Sequence, residues 1–288
     1  MINTVCVCGA GTMGSGIAQL IASKEIPTIV YDVDPAMITK SQKDISDQLD
    51  RLQAKNKITA IQKDNMLAHL RFTTALNDCI ADLIIEAIVE KQEPKIALFN
   101  QLAEINHAET LFTTNTSSLS VTSIAMAVQN PERVAGLHFF NPAPLMKLVE
   151  LITTDVTAPS VVESLTMFIT TIGKTGVLCK DSPGFIVNRV ARPFYLEALH
   201  LLEKHKVSIA DIDKLVRSTG FKMGPFELMD LIGNDINHAV SSSVYHAMNR
   251  PARLEPSALQ QQKVEANELG IKSGKGFYDY SSPQTEKS

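Results

Sequence analysis

His138, inside the apolar run GLHFF, and Glu150, inside MKLVELI, stand on two stretches joined by the turn-forming NPAP. If those stretches form adjacent antiparallel strands, the imidazole and the carboxylate meet side by side. A carboxylate on one ring nitrogen fixes the tautomer and supports the imidazolium that forms when the other nitrogen takes a proton. That arrangement suits a base for a hydroxyl proton, although a histidine among Leu and Phe is otherwise a satisfied buried residue. A second group, GAGTMG at residues 9 to 14, follows an apolar run from Ile2 to Val7 and precedes IAQLIAS. Gly9 would allow the tight turn, Gly11 would admit a pyrophosphate against the backbone, and Gly14 would let the helix press on its strand. The phosphate charge would rest on N–H groups at the helix N-terminus. Asp32 ends the next apolar run, PTIVYDVD, where its carboxylate can accept both ribose hydroxyls of an adenosine and repel a 2′-phosphate, so NAD is expected over NADP. Its bland alternative is a solvated strand end. Two further strand ends carry polar groups out of place in a core: EAIVE, with Glu86 and Glu90, and NTSS, Asn115 to Ser118.

The elements that would position these groups alternate. Up to about residue 180, short runs rich in Val, Ile, Leu and Thr alternate with amphipathic stretches, which predicts a Rossmann-type doubly wound α/β sheet over residues 1–182. The charged stretch from Ser41 to Lys63 is long for a simple crossover and reads as an extended helix pair projecting from the sheet. After DSPGF the apolar residues fall at helical spacing to about Asn267, which predicts a second, all-helical C-terminal domain over residues 183–288. The polar end, SSPQTEKS, is expected to fray. Ligands of such open sheets lie beyond the carboxyl ends of the strands, so the chemistry belongs there.

Composition narrows the class. With Lys+Arg 27 against Asp+Glu 31, the net charge is -4, and no basic stretch is long enough to bind nucleic acid by counterion release. No apolar stretch reaches the length of a bilayer span, and the first strand begins without a charged leader, so a cytoplasmic protein without a membrane partner is expected. Cys6, Cys8, Cys79 and Cys179 lie in or near apolar runs without metal-ligand spacing, which reads as reduced, mostly buried thiols and no metal.

GAGTMGSGIA, EAIVE, NTSSL, GLHFFNPAPLMKLVEL, CKDSPGFIVNR, MGPFELMD and GKGFYDY, in that order, resemble the L-3-hydroxyacyl-CoA dehydrogenases, in particular the short bacterial 3-hydroxybutyryl-CoA enzymes, from Ile2 to Tyr280. The resemblance implies NAD-dependent, reversible oxidation of a short-chain L-3-hydroxyacyl-CoA to the 3-oxoacyl-CoA. The family's catalytic pair falls on His138 and Glu150. Ser117 would bond the substrate's 3-oxygen near the nicotinamide. Asn188 would fix or polarise the acyl group, with a helix-capping or interdomain role as its alternative. Family cofactor contacts fall on Gly9, Gly11, Met13, Gly14, Asp32, Glu90, Lys95, Ser117, Asn141 and Lys272. From the residues alone, Asn141 could instead serve its Asn-Pro turn, and Lys272 reads as a solvated turn residue whose cofactor role rests on the resemblance. Lys55 matches a family lysine for the CoA moiety, whereas the accompanying serine is replaced by Gln48.

The resemblance further implies an acyl-CoA held between the two domains, water excluded by closure, and a homodimer built through the helical domains. Two other functions share part of this pattern: a dehydrogenase of another small hydroxy acid, like the lambda-crystallin and L-gulonate dehydrogenase sequences, and a non-catalytic nucleotide-binding protein. Complete GLHFFNP and CKDSPGFIVNR motifs and Lys55 speak against the first, and retention of every needed group against the second.

Overall fold

The computed structural model describes residues 2–205 and 207–281 and divides into two units, Met1–Ser182 and Pro183–Ser288. Most of the SSPQTEKS end, expected to fray, lies outside the described residues. Among the described residues no helix is long and apolar enough to cross a membrane.

In the first unit, eight strands among the described residues form one sheet: β1 (Val5–Cys8), β2 (Thr28–Tyr31), β3 (Leu70–Thr73), β4 (Leu83–Glu86), β5 (Leu111–Thr114), β6 (Val134–Phe139), β7 (Leu148–Thr153) and β8 (Thr175–Lys180). Their order is β3-β2-β1-β4-β5-β6-β7-β8, so strand order reverses between β1 and β4, the switch point at which open α/β sheets bind ligands. All pairings are parallel except β6 with β7, which run antiparallel. The inner strands are buried on both faces, which is why they read as unbroken apolar runs rather than alternating ones. Successive residues of β1 serve opposite layers: Val5 and Val7 pack with Ile17, Ile21 and Leu137, while Cys6 and Cys8 pack with Ile84, Phe99 and Leu102.

The crossovers are α1 (Thr12–Ala22), α2 (Pro35–Ala54), α3 (Ala60–Ala68), α4 (Gln92–Ile105), α5 (Val121–Ala125) and α6 (Pro159–Thr171). The long charged stretch forms two helices because each has its own start signal. Asp34 caps α2 through the Ala36 N–H, with Pro35 in the first turn, and Thr59 with Gln62 makes a capping box on α3. Helix α2 buries Ile38, Ser41, Ile45 and Leu49 along one face, whereas α3 buries no residue.

The second unit contains α7 (Val187–His205), α8 (Ile209–Ser218), α9 (Pro225–Ile232), α10 (Asn234–Ala247) and α11 (Ala258–Glu265) around Leu199, Phe226, Met229 and Val244. Two buried carboxylates hold its parts together. Asp213 accepts from the N–H groups of Phe226 and Glu227 and from the Tyr278 hydroxyl. Asp230 accepts from the N–H groups of Phe277 and Tyr278, the Tyr280 hydroxyl and the Asn234 amide. The MGPFELMD and GKGFYDY segments are thus tied to each other by charge-assisted hydrogen bonds.

Candidate active site

The first unit gathers most of the expected site residues at the carboxyl ends of β1, β2, β4, β5 and β6. Gly9 leaves β1 with φ at +108°, a left-handed conformation, and a β-carbon there would lie against the Ala87 carbonyl. A β-carbon on Gly14 would overlap the carbonyl oxygen of Gly9, so α1 can approach its strand only with glycine at that position. Gly11 differs from both: a β-carbon there would meet nothing within 4 Å. The chain's own packing does not require glycine at 11, and the space above it is open to an incoming group. Helix α1 begins at this point with no side-chain cap, so its first N–H groups face that space unclaimed by a cap. Met13 packs against the core layer beside α1.

Asp32, just beyond β2, is aimed by two main-chain donors. Its Oδ2 accepts from the Ala10 N–H at 2.8 Å and its Oδ1 from the Asp34 N–H at 3.0 Å. The carboxylate is therefore fixed at the rim of the glycine turn. Ribose hydroxyls fit such an acceptor and a phosphate does not. Open backbone above Gly11, uncapped N–H groups and this acceptor together suit an adenine dinucleotide.

An ionic network centred on a buried lysine lies beside the turn. Lys95 of α4 is 1% exposed and its Nζ sits 2.6 Å from Glu86 Oε1 and 3.2 Å from Glu90 Oε2. Glu86, at the end of β4, also accepts from the Thr114 hydroxyl and the Ile88 N–H. Glu90 accepts from the Thr116 hydroxyl at 2.6 Å, the Ser117 N–H at 2.9 Å, and the Ser118 N–H and hydroxyl at 3.2 and 3.0 Å. Burial holds Glu86 above the usual carboxylate range in spite of Lys95. Burial pushes Glu90 upward too, but Lys95, Thr116 and Ser117 outweigh it and leave Glu90 below that range. The loop after β5 is thus moulded around one carboxylate, with Ser117 half-buried in it. Lys95 was not recognisable in sequence as the centre of this network, since a lysine in the first turns of a helix ordinarily faces solvent.

His138 and Glu150 are directly opposed in the antiparallel register of β6 and β7. Nδ1 of His138 lies 2.7 Å from Glu150 Oε2, with the side chains 7% and 1% exposed. The Phe140 ring stands 4.6 Å from the imidazole. Asn115, in the loop after β5, accepts from the Phe139 N–H at 2.8 Å, which ties that loop to the strand bearing His138. Asn141, exposed in the turn that follows, precedes Pro142 through a cis peptide bond. Lys55 is exposed at the C-cap of α2, and Gln48 is half-buried earlier on the same helix.

Two expected site residues belong to the second unit. Asn188, half-buried, lies in the first turn of α7 and its carbonyl accepts from Arg192 Nε at 3.0 Å. Lys272 is paired with both oxygens of Asp235, at 2.6 and 2.7 Å. The same unit carries a cavity of about 700 Å³ lined by Val190, Phe194, Phe221 and Met223 among other, mainly apolar, side chains.

Comparison with known proteins places these features in a common frame. Residues 4–182 match the NAD binding domain of 3-hydroxyacyl-CoA dehydrogenase, and residues 184–280 match its C-terminal domain. The chain is 47% identical over 281 residues to 3-hydroxyadipyl-CoA dehydrogenase of Escherichia coli, covering 97% of this chain and 59% of that protein, so it spans about three fifths of that relative's length. It is 38% identical over 284 residues to 3-hydroxybutyryl-CoA dehydrogenase of Mycobacterium tuberculosis, covering 97% of this chain and 99% of that protein. Among solved structures, a 3-hydroxybutyryl-CoA dehydrogenase from Escherichia coli K12 is similar with a TM-score of 0.95 and 46% identity, over 100% of this chain and 61% of that one.

Proposed function

Because this chain belongs to the 3-hydroxyacyl-CoA dehydrogenase family, we propose that it oxidises the hydroxyl of short-chain L-3-hydroxyacyl-CoA thioesters, such as 3-hydroxybutyryl-CoA, to the 3-oxo group, reversibly and with NAD. The observation that carries this reading is the 2.7 Å contact between His138 Nδ1 and Glu150 Oε2.

Glu150 holds the proton-bearing Nδ1, so Nε2 is the nitrogen that takes the proton from the substrate's 3-hydroxyl. As the imidazolium forms, the buried carboxylate opposite it stabilises the new charge in a site largely closed to water. In the reverse direction the same nitrogen returns the proton. The Ser117 hydroxyl bonds the 3-oxygen, and Asn188 fixes the acyl group. Bound NAD supplies the acceptor for the hydride that leaves the substrate carbon. Gly9, Gly11, Met13 and Gly14 cradle its pyrophosphate, and Asp32 takes the adenosine ribose and selects against NADP. Glu90, Lys95, Asn141 and Lys272 complete the cofactor contacts, and Lys55 meets the CoA moiety.

The assembly is proposed to be a homodimer in the cytoplasm, paired through the helical unit. Exposed Val190 and Phe221 beside the apolar cavity support that pairing. The test is NADH absorbance on addition of L-3-hydroxybutyryl-CoA and, separately, of L-gulonate. Turnover of the thioester alone is expected. Turnover of neither, with NADH still bound, would instead indicate a nucleotide-binding protein without catalysis.

A further inference from the structure

Lys174, half-buried immediately before β8, has its Nζ 2.7 Å from the Ala143 carbonyl, 3.1 Å from that of Pro144 and 2.7 Å from that of Met146. An ammonium carries three hydrogens, so every donor it owns goes to the turn between β6 and β7. Among the described residues no carboxylate pairs with it. Burial and the neighbouring Lys24 instead hold it below the usual lysine range. This lysine therefore answers no opposite charge; it gathers three carbonyl dipoles onto one point. Its own backbone is fixed. The Lys174 N–H donates to the Ile169 carbonyl near the end of α6 at 3.0 Å, and the Thr175 N–H donates to the Lys147 carbonyl at 2.8 Å.

The turn held in this way lies between the cofactor helix and the His138 strand. It starts from Phe140, whose ring centroid is 4.6 Å from that of the His138 imidazole, and continues through Asn141. Farther along, it rests on α1: a β-carbon on Gly16, just beyond the glycine motif, would sit 3.4 Å from Pro144 Cδ and 3.5 Å from Ala143 Cβ. Within the turn, the Leu145 and Met146 N–H groups both donate to the Pro142 carbonyl at 3.0 Å. Without the ammonium, three converging carbonyl oxygens lose their shared donor and turn outward to water. The segment that carries Asn141 loosens with them.

We propose that Lys174 is a positioning residue for hydride transfer, which fixes the turn over residues 141–146 so that Asn141 meets the nicotinamide end of the cofactor and Phe140 stays packed on His138. The inference rests on the reading of Asn141 as a contact of the nicotinamide side. It adds to that reading the group that keeps Asn141 in place.

The experiment compares NADH with ADP-ribose, which shares the adenosine, pyrophosphate and second ribose but lacks the nicotinamide ring. In Lys174→Met the dissociation constant for NADH rises by about tenfold, and kcat for L-3-hydroxybutyryl-CoA falls by about 10- to 10²-fold. The dissociation constant for ADP-ribose stays within about twofold of the wild type, because its contacts lie away from the turn. Wild-type NADH affinity, wild-type kcat, or equal losses for the two ligands would overturn the assignment, the last by making Lys174 a general support of the fold. Should Lys174→Met fail to fold, Lys174→Gln, which keeps two donors, is read in the same way. Hydrogen exchange at the Leu145 and Met146 amides is then expected to be faster in the variant than in the wild type, and unchanged exchange overturns the proposal. Failure of the proposed function is read separately, as no turnover of any 3-hydroxyacyl-CoA by the wild type. The two binding constants need no turnover and still test Lys174, with the same outcomes.

Discussion

A β-carbon on Gly14 would overlap the carbonyl oxygen of Gly9, whereas one on Gly11, between them, would meet nothing within 4 Å. The same motif therefore contains one glycine demanded by packing and one with room above it. Gly14→Ala should destabilise the protein by about 2 kcal/mol or more through overpacking. Gly11→Ala should melt within about 2 °C of the wild type and bind NADH at least about tenfold more weakly, because the methyl occupies the pyrophosphate's approach. Thermal melts and fluorescence titration separate the two; a Gly11→Ala protein with wild-type NADH affinity would contradict the assignment.

Asp32 is aimed by the N–H groups of Ala10 and Asp34 rather than left in solvent. Asp32→Ser should lower the ratio of kcat/KM for NAD over NADP by about tenfold or more, by removing both the ribose acceptor and the charge that repels a 2′-phosphate. A wild type that already prefers NADP would show the carboxylate to be misassigned.

Lys95 neutralises Glu86, a carboxylate that cannot reach bulk water. Lys95→Met leaves Glu86 buried without its cation, a loss expected to cost about 3–5 kcal/mol. The pH dependence has a definite sign. Burial already raises the pKa of Glu86 in the folded state, so its contribution to stability is fullest below the ordinary carboxylate pKa and is lost as pH rises through the raised value. Without Lys95 that window moves upward, and the deficit in melting temperature should be smaller at acid than at alkaline pH. A deficit independent of pH would mean that Lys95 acts by packing alone.

The sheet, the helical second unit and the opposed strands of His138 and Glu150 were legible because they follow from local pattern. Unbroken apolar runs mark buried parallel strands, and the NPAP turn sets two runs side by side. The partners of Glu86 and Glu90 were not legible. Lys95 reaches them only because α4 docks on the sheet, and its flanking residues look like any amphipathic helix. Arg192 and the carboxylates Asp213 and Asp230 are of the same kind: charged residues whose burial is decided by distant elements. Sequence periodicity shows which face of a helix is apolar, but not which charge will be enclosed when that face closes.

Glu150→Gln keeps the shape of the pair and removes its charge. The imidazolium loses its counter-charge, and kcat should fall by about 10²- to 10³-fold with little change in melting temperature or in KM for NAD. Equal losses in stability and rate would assign Glu150 to the core rather than to the chemistry.

The central claim is that the imidazole of His138 moves the substrate proton. The most direct measurement pairs turnover of L-3-hydroxybutyryl-CoA with an NADH titration in His138→Gln. The account predicts that turnover falls by about 10³-fold or more while the dissociation constant for NADH stays within about threefold of the wild type. Turnover close to wild type, or a collapse of NADH binding together with it, would contradict that role.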